Sequence, residues 1–315
     1  MAAALGVLAS CGSVKSGEDA IAASRDSKVV VAYVTSWSDV MPDPQCMTHI
    51  NYAFGHVNES FNGVKIDNEE RLKQIVDLKK QKPDLKVLLS IGGWGSGRFS
   101  EMAANDEYRR AFAVDCERVV EEFALDGIDI DWEYPTSSMA NISSSPDDTE
   151  NFTLLMQDIR AAIGNEKELT LATVASARYI DFKAILPSVD FVNIMAYDMA
   201  SAPKHHSALY PSGHSGDITS DGAVTAHLKA GVPPSKLVMG MPFYGRGGDG
   251  YPSFQDYNKV GNTDTQYTEK WDEVAQVPYL ADKNDTLVFG FENPRSLAIK
   301  CQYILDKDLL GGMYW

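Results

Sequence analysis

Asp126-Gly127-Ile128-Asp129-Ile130-Asp131-Trp132-Glu133-Tyr134-Pro135 is the most informative segment of this chain. Side chains alternate across a β-strand, so Asp129, Asp131 and Glu133 project to one side while Ile128, Ile130 and Trp132 project to the other. The apolar set demands burial, which leaves no solvent face for a central strand of a closed barrel. There the three acids would line the lumen, each about 6.6 Å nearer the mouth than the last. Like charges in so dry a place repel, and the natural outcome is that at least one acid keeps its proton at neutral pH. A carboxyl group that holds its proton is a general acid. Chelation of Ca²⁺ or Mg²⁺ is disfavoured, because those ions want oxygens converging from several directions and one strand spreads its acids along a line. Asp126 has the wrong parity for the lumen and reads as a structural turn residue.

The pattern around this segment agrees with a barrel. From Lys28 onward, short β-branched or apolar runs alternate with amphipathic segments, the signature of a parallel sheet with helices outside it. Eight strands are expected, at Val29 to Ser36, His49 to Phe54, Lys86 to Gly92, Gly127 to Asp131, Leu169 to Ala175, Phe191 to Met195, Lys236 to Met241 and Gly311 to Trp315. Helices are expected at Glu69 to Gln81, Glu107 to Phe123, Thr149 to Ile163, Ser220 to Ala230 and Pro294 to Lys307. In the second of these, Phe112, Cys116, Val119, Val120 and Phe123 recur at helical spacing and form the face that packs on the sheet. The fold class is therefore α/β, a (β/α)8 TIM barrel over residues 28–315, with the site at the C-terminal ends of the strands. A doubly wound open sheet is the rival, but no G-x-G-x-x-G follows the first strand and nothing resembles a phosphate loop. Two long connections fall at the active end: Ser-rich Tyr134 to Asp148, and an insertion from Gly247 to Glu292 between strand seven and its helix.

Of the 315 residues, 28 are basic and 44 acidic, for a net charge of −16. That balance argues against nucleic acid or an anionic membrane surface as partner. The four cysteines, Cys11, Cys46, Cys116 and Cys301, show no C-x-x-C pair and no zinc-binding spacing. The last three read as small buried hydrophobes. Cys11 differs: it closes Leu8-Ala9-Ser10-Cys11 after a short apolar run and precedes a polar stretch to Ser27. This resembles the lipobox of bacterial lipoproteins, so residues 1–27 read as a signal remnant and polar tether. It departs from the pattern in having no Lys or Arg before the apolar run, and a plain N-terminal scrap is the alternative. The expected location is the cell envelope or the extracellular space, with membrane attachment only through a lipid on Cys11. The six histidines, including the adjacent His205 and His206, have no H-x-x-x-H ligand spacing and read as residues of a solvated loop.

Taken in order along the chain, these residues resemble glycoside hydrolase family 18, the chitinase-like family, whose signature is D-x-x-D-x-D-x-E at the end of the fourth barrel strand. Asp126, Asp129, Asp131 and Glu133 match it without a gap. Further matches are Tyr33 on strand one, Ser90-Ile91-Gly92-Gly93-Trp94 on strand three, Met195-Ala196-Tyr197-Asp198 after strand six, Phe243-Tyr244-Gly245-Arg246 after strand seven, and Trp315. The resemblance runs from Val29 to Trp315. It implies a retaining glycosidase for β-1,4-linked N-acetylglucosamine, chitin or its oligosaccharides, that uses the substrate's own acetamide as nucleophile and needs no cofactor or metal. On this reading Glu133 is the acid and base, Asp131 orients the acetamide, and Asp129 shares a proton with Asp131. Tyr197 binds the acetamide oxygen, Asp198 supports the distorted sugar, and Trp315 forms the floor under it. Tyr33 and Ser90 satisfy the deepest acid. Trp94, Met195, Tyr244 and Arg246 complete the substrate-binding set, although Met195 equally suits barrel packing. Trp37 and Trp271 are further candidates for stacking on sugars. The same motif also serves endo-β-N-acetylglucosaminidases acting on N-glycans, and some members of the fold are lectins that bind without cutting. A monomer is expected.

Overall fold

The alternating apolar runs close into a cylinder. A computed structural model describes residues 28–248, 255–256 and 267–315; the tether and Cys11 lie outside the described residues. β1 (Val29–Thr35) and β2 (His49–Val57) are followed by a short antiparallel strand, β3 (Val64–Ile66), on the edge of β2. The cylinder continues through β4 (Lys86–Gly92), β5 (Gly127–Asp131), β6 (Glu168–Val174), β7 (Phe191–Met195) and β8 (Leu237–Met241). An insertion then supplies β9 (Tyr244–Gly247), β10 (Gln255–Asp256), β11 (Thr268–Asp272), β12 (Val277–Ala281) and β13 (Leu287–Gly290), after which β14 (Gly311–Tyr314) returns to the barrel. β14 lies parallel between β8 and β1, and β1 pairs in parallel with β2, so the eight-stranded barrel has no open seam. Each expected barrel strand is present, with ends that differ by at most three residues.

Two cores follow from strand parity. Outside the barrel, Ile128, Ile130 and Trp132 join Phe112, Cys116, Phe152, Leu155 and Ile159 in the sheet-to-helix core, and Trp132 stacks on Phe99 with centroids 5.3 Å apart. Inside it, Val31, Tyr33, Ala53, Phe191, Val238 and Met313 form a separate cluster. The helices are α1 (Glu69–Val76), α2 (Phe99–Ala104), α3 (Asp106–Glu122), α4 (Asp148–Ile163), α5 (Phe182–Ile185), α6 (Ser220–Lys229) and α7 (Pro294–Asp306). The first is shorter than its pattern suggests and tightens into a 3₁₀ turn over Asp77–Lys80. Pro83 closes the segment, since it turns Lys82 away from the α region. Sequence periodicity misses α2 and α5 because six and four residues are too few to show a period. α3 starts where the Asn105 side chain accepts from the backbone of Glu107 and Tyr108, and α7 starts in a capping box between Asn293 and Ser296.

The insertion folds as a small antiparallel sheet in the order β10-β9-β13-β12-β11, rooted directly on the end of β8. Trp271, a candidate sugar platform by sequence, is covered instead by the Arg295 guanidinium 3.8 Å above its ring. The expectation of three buried cysteines holds only for Cys116; Cys46 and Cys301 are exposed, each on the solvent side of a helical turn.

Candidate active site

The row of acids on β5 stands as its parity requires. At the strand's end, Gly92 of β4 pairs with Asp131. A Cβ on Gly92 would lie 2.0 Å from the Asp131 carbonyl oxygen, and its φ of +132° suits only glycine. The Gly93 N–H then donates to that same carbonyl at 2.9 Å. The Ser90-Ile91-Gly92-Gly93-Trp94 segment therefore turns directly over Asp131.

Asp129 is the deepest acid and has no solvent exposure. Its Oδ2 accepts from the Tyr33 hydroxyl at 2.8 Å and the Ser90 hydroxyl at 2.8 Å; its Oδ1 accepts from the Thr170 hydroxyl at 2.6 Å and from Asn193 Nδ2 at 3.3 Å. Four strands thus contribute one donor each. Burial raises its pKa, and the four donors oppose the rise.

Asp131, two residues nearer the mouth, is equally enclosed but poorly served. Its Oδ1 is buried and takes no hydrogen bond from any described residue. Burial, then the charges of Glu133 and Asp129, push its carboxyl well above the carboxylate range. Asp129 reaches it through charge, while hydrogen-bond donors occupy both Asp129 oxygens. Glu133, at the rim and 9% exposed, is raised to about 7, chiefly by burial. The Asp198 charge adds to the rise and a Tyr134 hydrogen bond opposes it. At neutral pH this side chain can both give a proton and take one back.

The walls come from neighbouring loops. Tyr197, just past β7, is half-buried, and its pKa is raised by loss of solvent and then by the charges of Tyr244, Asp131, Glu133 and Asp198. Its hydroxyl lies 3.8 Å from Met313 Sδ. Asp198 adopts a left-handed φ of +54°. Arg246 pairs with it, Nη2 donating to Oδ2 at 2.8 Å and Nε in ion-pair contact with Oδ1. Burial alone would raise the Asp198 carboxyl, but His206 and Arg246 outweigh it and hold the group below the carboxylate range. Tyr244 of β9 sits edge-on to Tyr197, with centroids 6.3 Å apart, and shares a hydrogen bond with Asp198. Met195 is half-buried at the tip of β7. Trp315 forms an aromatic floor with Tyr33 at 5.8 Å, Phe54 at 5.8 Å and Trp37 at 6.5 Å. Trp94 stands 61% exposed on the other side, edge-on to Tyr134, which stacks on Tyr179 at 5.6 Å.

Apart from Trp271 on β11, the site residues read from the sequence thus lie at or below one barrel mouth. Asp126 serves the frame, accepting from Val87 N at 2.8 Å and Lys79 Nζ at 2.7 Å. Sequence reasoning passed over Thr170 and Asn193, although their inward parity and the pairing of Thr170 with Asp129 place them on the deepest acid. It also misplaced the adjacent histidines. His205 and His206 are 2% and 1% exposed, not solvated: His205 Nε2 reaches Asp272 of β11 at 3.1 Å, and His206 Nδ1 reaches Asp198 at 3.3 Å. The insertion sheet covers the loop that carries them, and nothing local in the sequence signals that contact.

Known proteins agree with this geometry. The family model for glycosyl hydrolases family 18 matches residues 29–315. Chitinase A1 of Niallia circulans is 30% identical over 95% of this chain and 57% of its own length, so the chain spans little more than half of that relative. Chitotriosidase-1 of Mus musculus is 31% identical over 91% of this chain and 72% of its own. Among solved structures, a family 18 N-acetylglucosaminidase from Paenibacillus barengoltzii superposes with a TM-score of 0.84 at 34% identity, covering 91% of this chain and 94% of that one.

Proposed function

The chain belongs to glycosyl hydrolase family 18, and we propose that it is a chitinase-type glycosidase that hydrolyses β-1,4-linked N-acetylglucosamine with retention, using the substrate's acetamide as nucleophile. The observation that carries this reading is the contrast on one strand: a saturated acid at the bottom, an acid with an orphaned oxygen above it, and a proton-holding acid at the rim. The names chitinase, chitotriosidase and N-acetylglucosaminidase borne by the relatives support the same substrate class.

The chemistry follows from where each group stands. Glu133 donates its proton to the glycosidic oxygen as that oxygen's bond to the anomeric carbon breaks. The acetamide carbonyl oxygen closes onto the same carbon, giving an oxazolinium ion. Asp131 Oδ1 accepts the acetamide N–H, which aims the carbonyl at that carbon. The Tyr197 hydroxyl donates to the acetamide oxygen. Water then attacks the anomeric carbon, its proton passing to the Glu133 carboxylate, and the oxazolinium opens with the original configuration restored. Asp129, through its charge from below, helps Asp131 keep its proton, and Asp198 keeps a fixed negative charge beside the acid. Trp315 supports the apolar face of the sugar, with Trp94 available to a neighbouring unit.

The lipobox-like Leu8-Ala9-Ser10-Cys11 supports a location at the cell envelope with a lipid on Cys11. Loss of the full chain from the membrane fraction on Cys11→Ser is the expected result.

Incubation with defined N-acetylglucosamine oligomers beside a high-mannose glycopeptide tests the function. Shortened oligomers with the β-anomer formed first are expected. Cleavage of the glycopeptide alone, or binding of oligomers without cleavage, would overturn the reading.

A further inference from the structure

The adjacent histidines lie on the back of the site and point opposite ways. His205 turns outward to the insertion sheet, where Asp272 accepts from it at 3.1 Å, from Ser212 Oγ at 2.7 Å, and from the backbone N–H groups of Val274 and Ala275 at 2.9 Å each. His206 turns inward, its Nδ1 3.3 Å from Asp198 Oδ1. Asp198 is thereby held from two directions, by the Arg246 guanidinium of β9 and by His206 of its own loop. The groups facing His206 are Asp198 and, through it, Arg246; Tyr244 of β9, whose ring centroid is 5.6 Å away; and His205, with Asp272 behind it. β13 packs on it with Gly290, which brings no charge. The second ring nitrogen, Nε2, is buried and takes no hydrogen bond from any described residue. The ring's polar contact is therefore spent on Asp198.

We propose that His206 is a positioning residue of the reaction: by donating to Asp198 Oδ1 from behind while Arg246 holds the carboxylate from the side, it fixes the orientation of the charge that stands beside Glu133. Three features carry this. The Asp198 side chain is 30% exposed, so no packing fixes its carboxylate and its orientation depends on its partners. Tyr244 packs against both Tyr197 and His206, so a shift of the ring would be felt at the residue next to Asp198 as well. And the neighbouring His205–Asp272 pair anchors the loop to the insertion, leaving His206 free of an anchoring role. The charge of Asp198 in turn helps Glu133 keep its proton. The insertion thus reaches the chemistry through two consecutive side chains.

This inference rests on the glycosidase reading, and one set of assays separates the two. Turnover of N-acetylglucosamine oligomers by the wild-type protein is measured first across pH, then that of His206→Phe and His206→Asn. The asparagine amide can donate from nearly the place of Nδ1 but cannot gain a proton, whereas phenylalanine fills the space and donates nothing. His206→Phe is expected to lower kcat about tenfold with KM changed less than about threefold, as a displaced charge near the reacting bond does, and to move the alkaline limb of its pH profile. His206→Asn is expected to return kcat to within about threefold of wild type and to restore that limb. Thermal melting shows whether each variant is folded. A wild type without turnover defeats the glycosidase reading. An active wild type defeats the His206 proposal if both variants share its kcat and pH profile, or if both lose activity equally through a raised KM.

Discussion

Asp129 and Asp131 are two residues apart on one strand, both removed from water, and they have opposite surroundings. Four side chains from four strands donate to Asp129; Asp131 keeps an oxygen with no donor among the described residues. The first arrangement is what a fold does with a buried carboxylate it must stabilise. The second costs stability and makes sense only where another molecule completes the bonding. The barrel floor is thus built for rigidity and its mouth for chemistry, and substitutions in the two layers should part company.

The largest effects fall at the mouth. Glu133→Gln keeps size and polarity but cannot donate a proton as an acid, so turnover should fall by a factor on the order of 10³, while binding of oligomers persists. Calorimetric titration with an oligomer beside a turnover assay measures both. Asp131→Asn should lose about 10²-fold or more in turnover with no fall in melting temperature, because it replaces a carboxyl that burial and neighbouring charges already hold protonated by a neutral amide of the same size. Asp129→Ala should behave in the opposite sense. Tyr33, Ser90, Thr170 and Asn193 would be left facing an empty acceptor position, at a cost of about 3 kcal/mol or more, and melting should drop by several degrees. Equal melting temperatures for the Asp129 and Asp131 variants would erase the distinction between floor and mouth.

The pH dependence sharpens the comparison further. Glu133 has its proton below about 7 and loses it above, so kcat/KM should fall roughly tenfold per pH unit on the alkaline side of that value. Stability carries the same sign. A carboxyl raised in the folded state incurs no penalty while it is protonated in both states, below its ordinary pKa of about 4.5. From there up to about 7 the unfolded chain ionises and the folded one does not, and stability declines. Glu133→Gln removes this titration, so it should raise the melting temperature relative to wild type more at pH 8 than at pH 4.5. A difference independent of pH would place the acid in water rather than in the barrel.

The same division explains what could be read in advance. The barrel strands were legible because each repeats apolar residues toward the helices at strand spacing, and the β5 acids because their parity opposes Ile128, Ile130 and Trp132. Family resemblance supplied the roles of Tyr197, Asp198 and Trp315, which no local pattern announces. What escaped was built from long-range pairs. His205 meets a partner 67 positions away, and Asn193 donates to an acid 64 positions before it. Periodicity works within one element, so it is silent about a loop that becomes interior only when an insertion sheet covers it.

The smallest effect expected concerns the first acid of the motif. Asp126 shares the signature with Asp129, Asp131 and Glu133 yet has the opposite parity, and its Oδ2 accepts from Val87 N and Lys79 Nζ on the helical side of the sheet. Asp126→Asn preserves one acceptor oxygen for the Val87 N–H and loses the charge opposite two partly exposed lysines, Lys79 and Lys86, worth about 1 kcal/mol or less. Turnover should stay within about twofold of wild type and melting should fall by a few degrees at most. A loss of turnover comparable to that of Asp131→Asn would mean that the motif acts as a four-carboxylate unit, and that strand parity does not separate frame from chemistry.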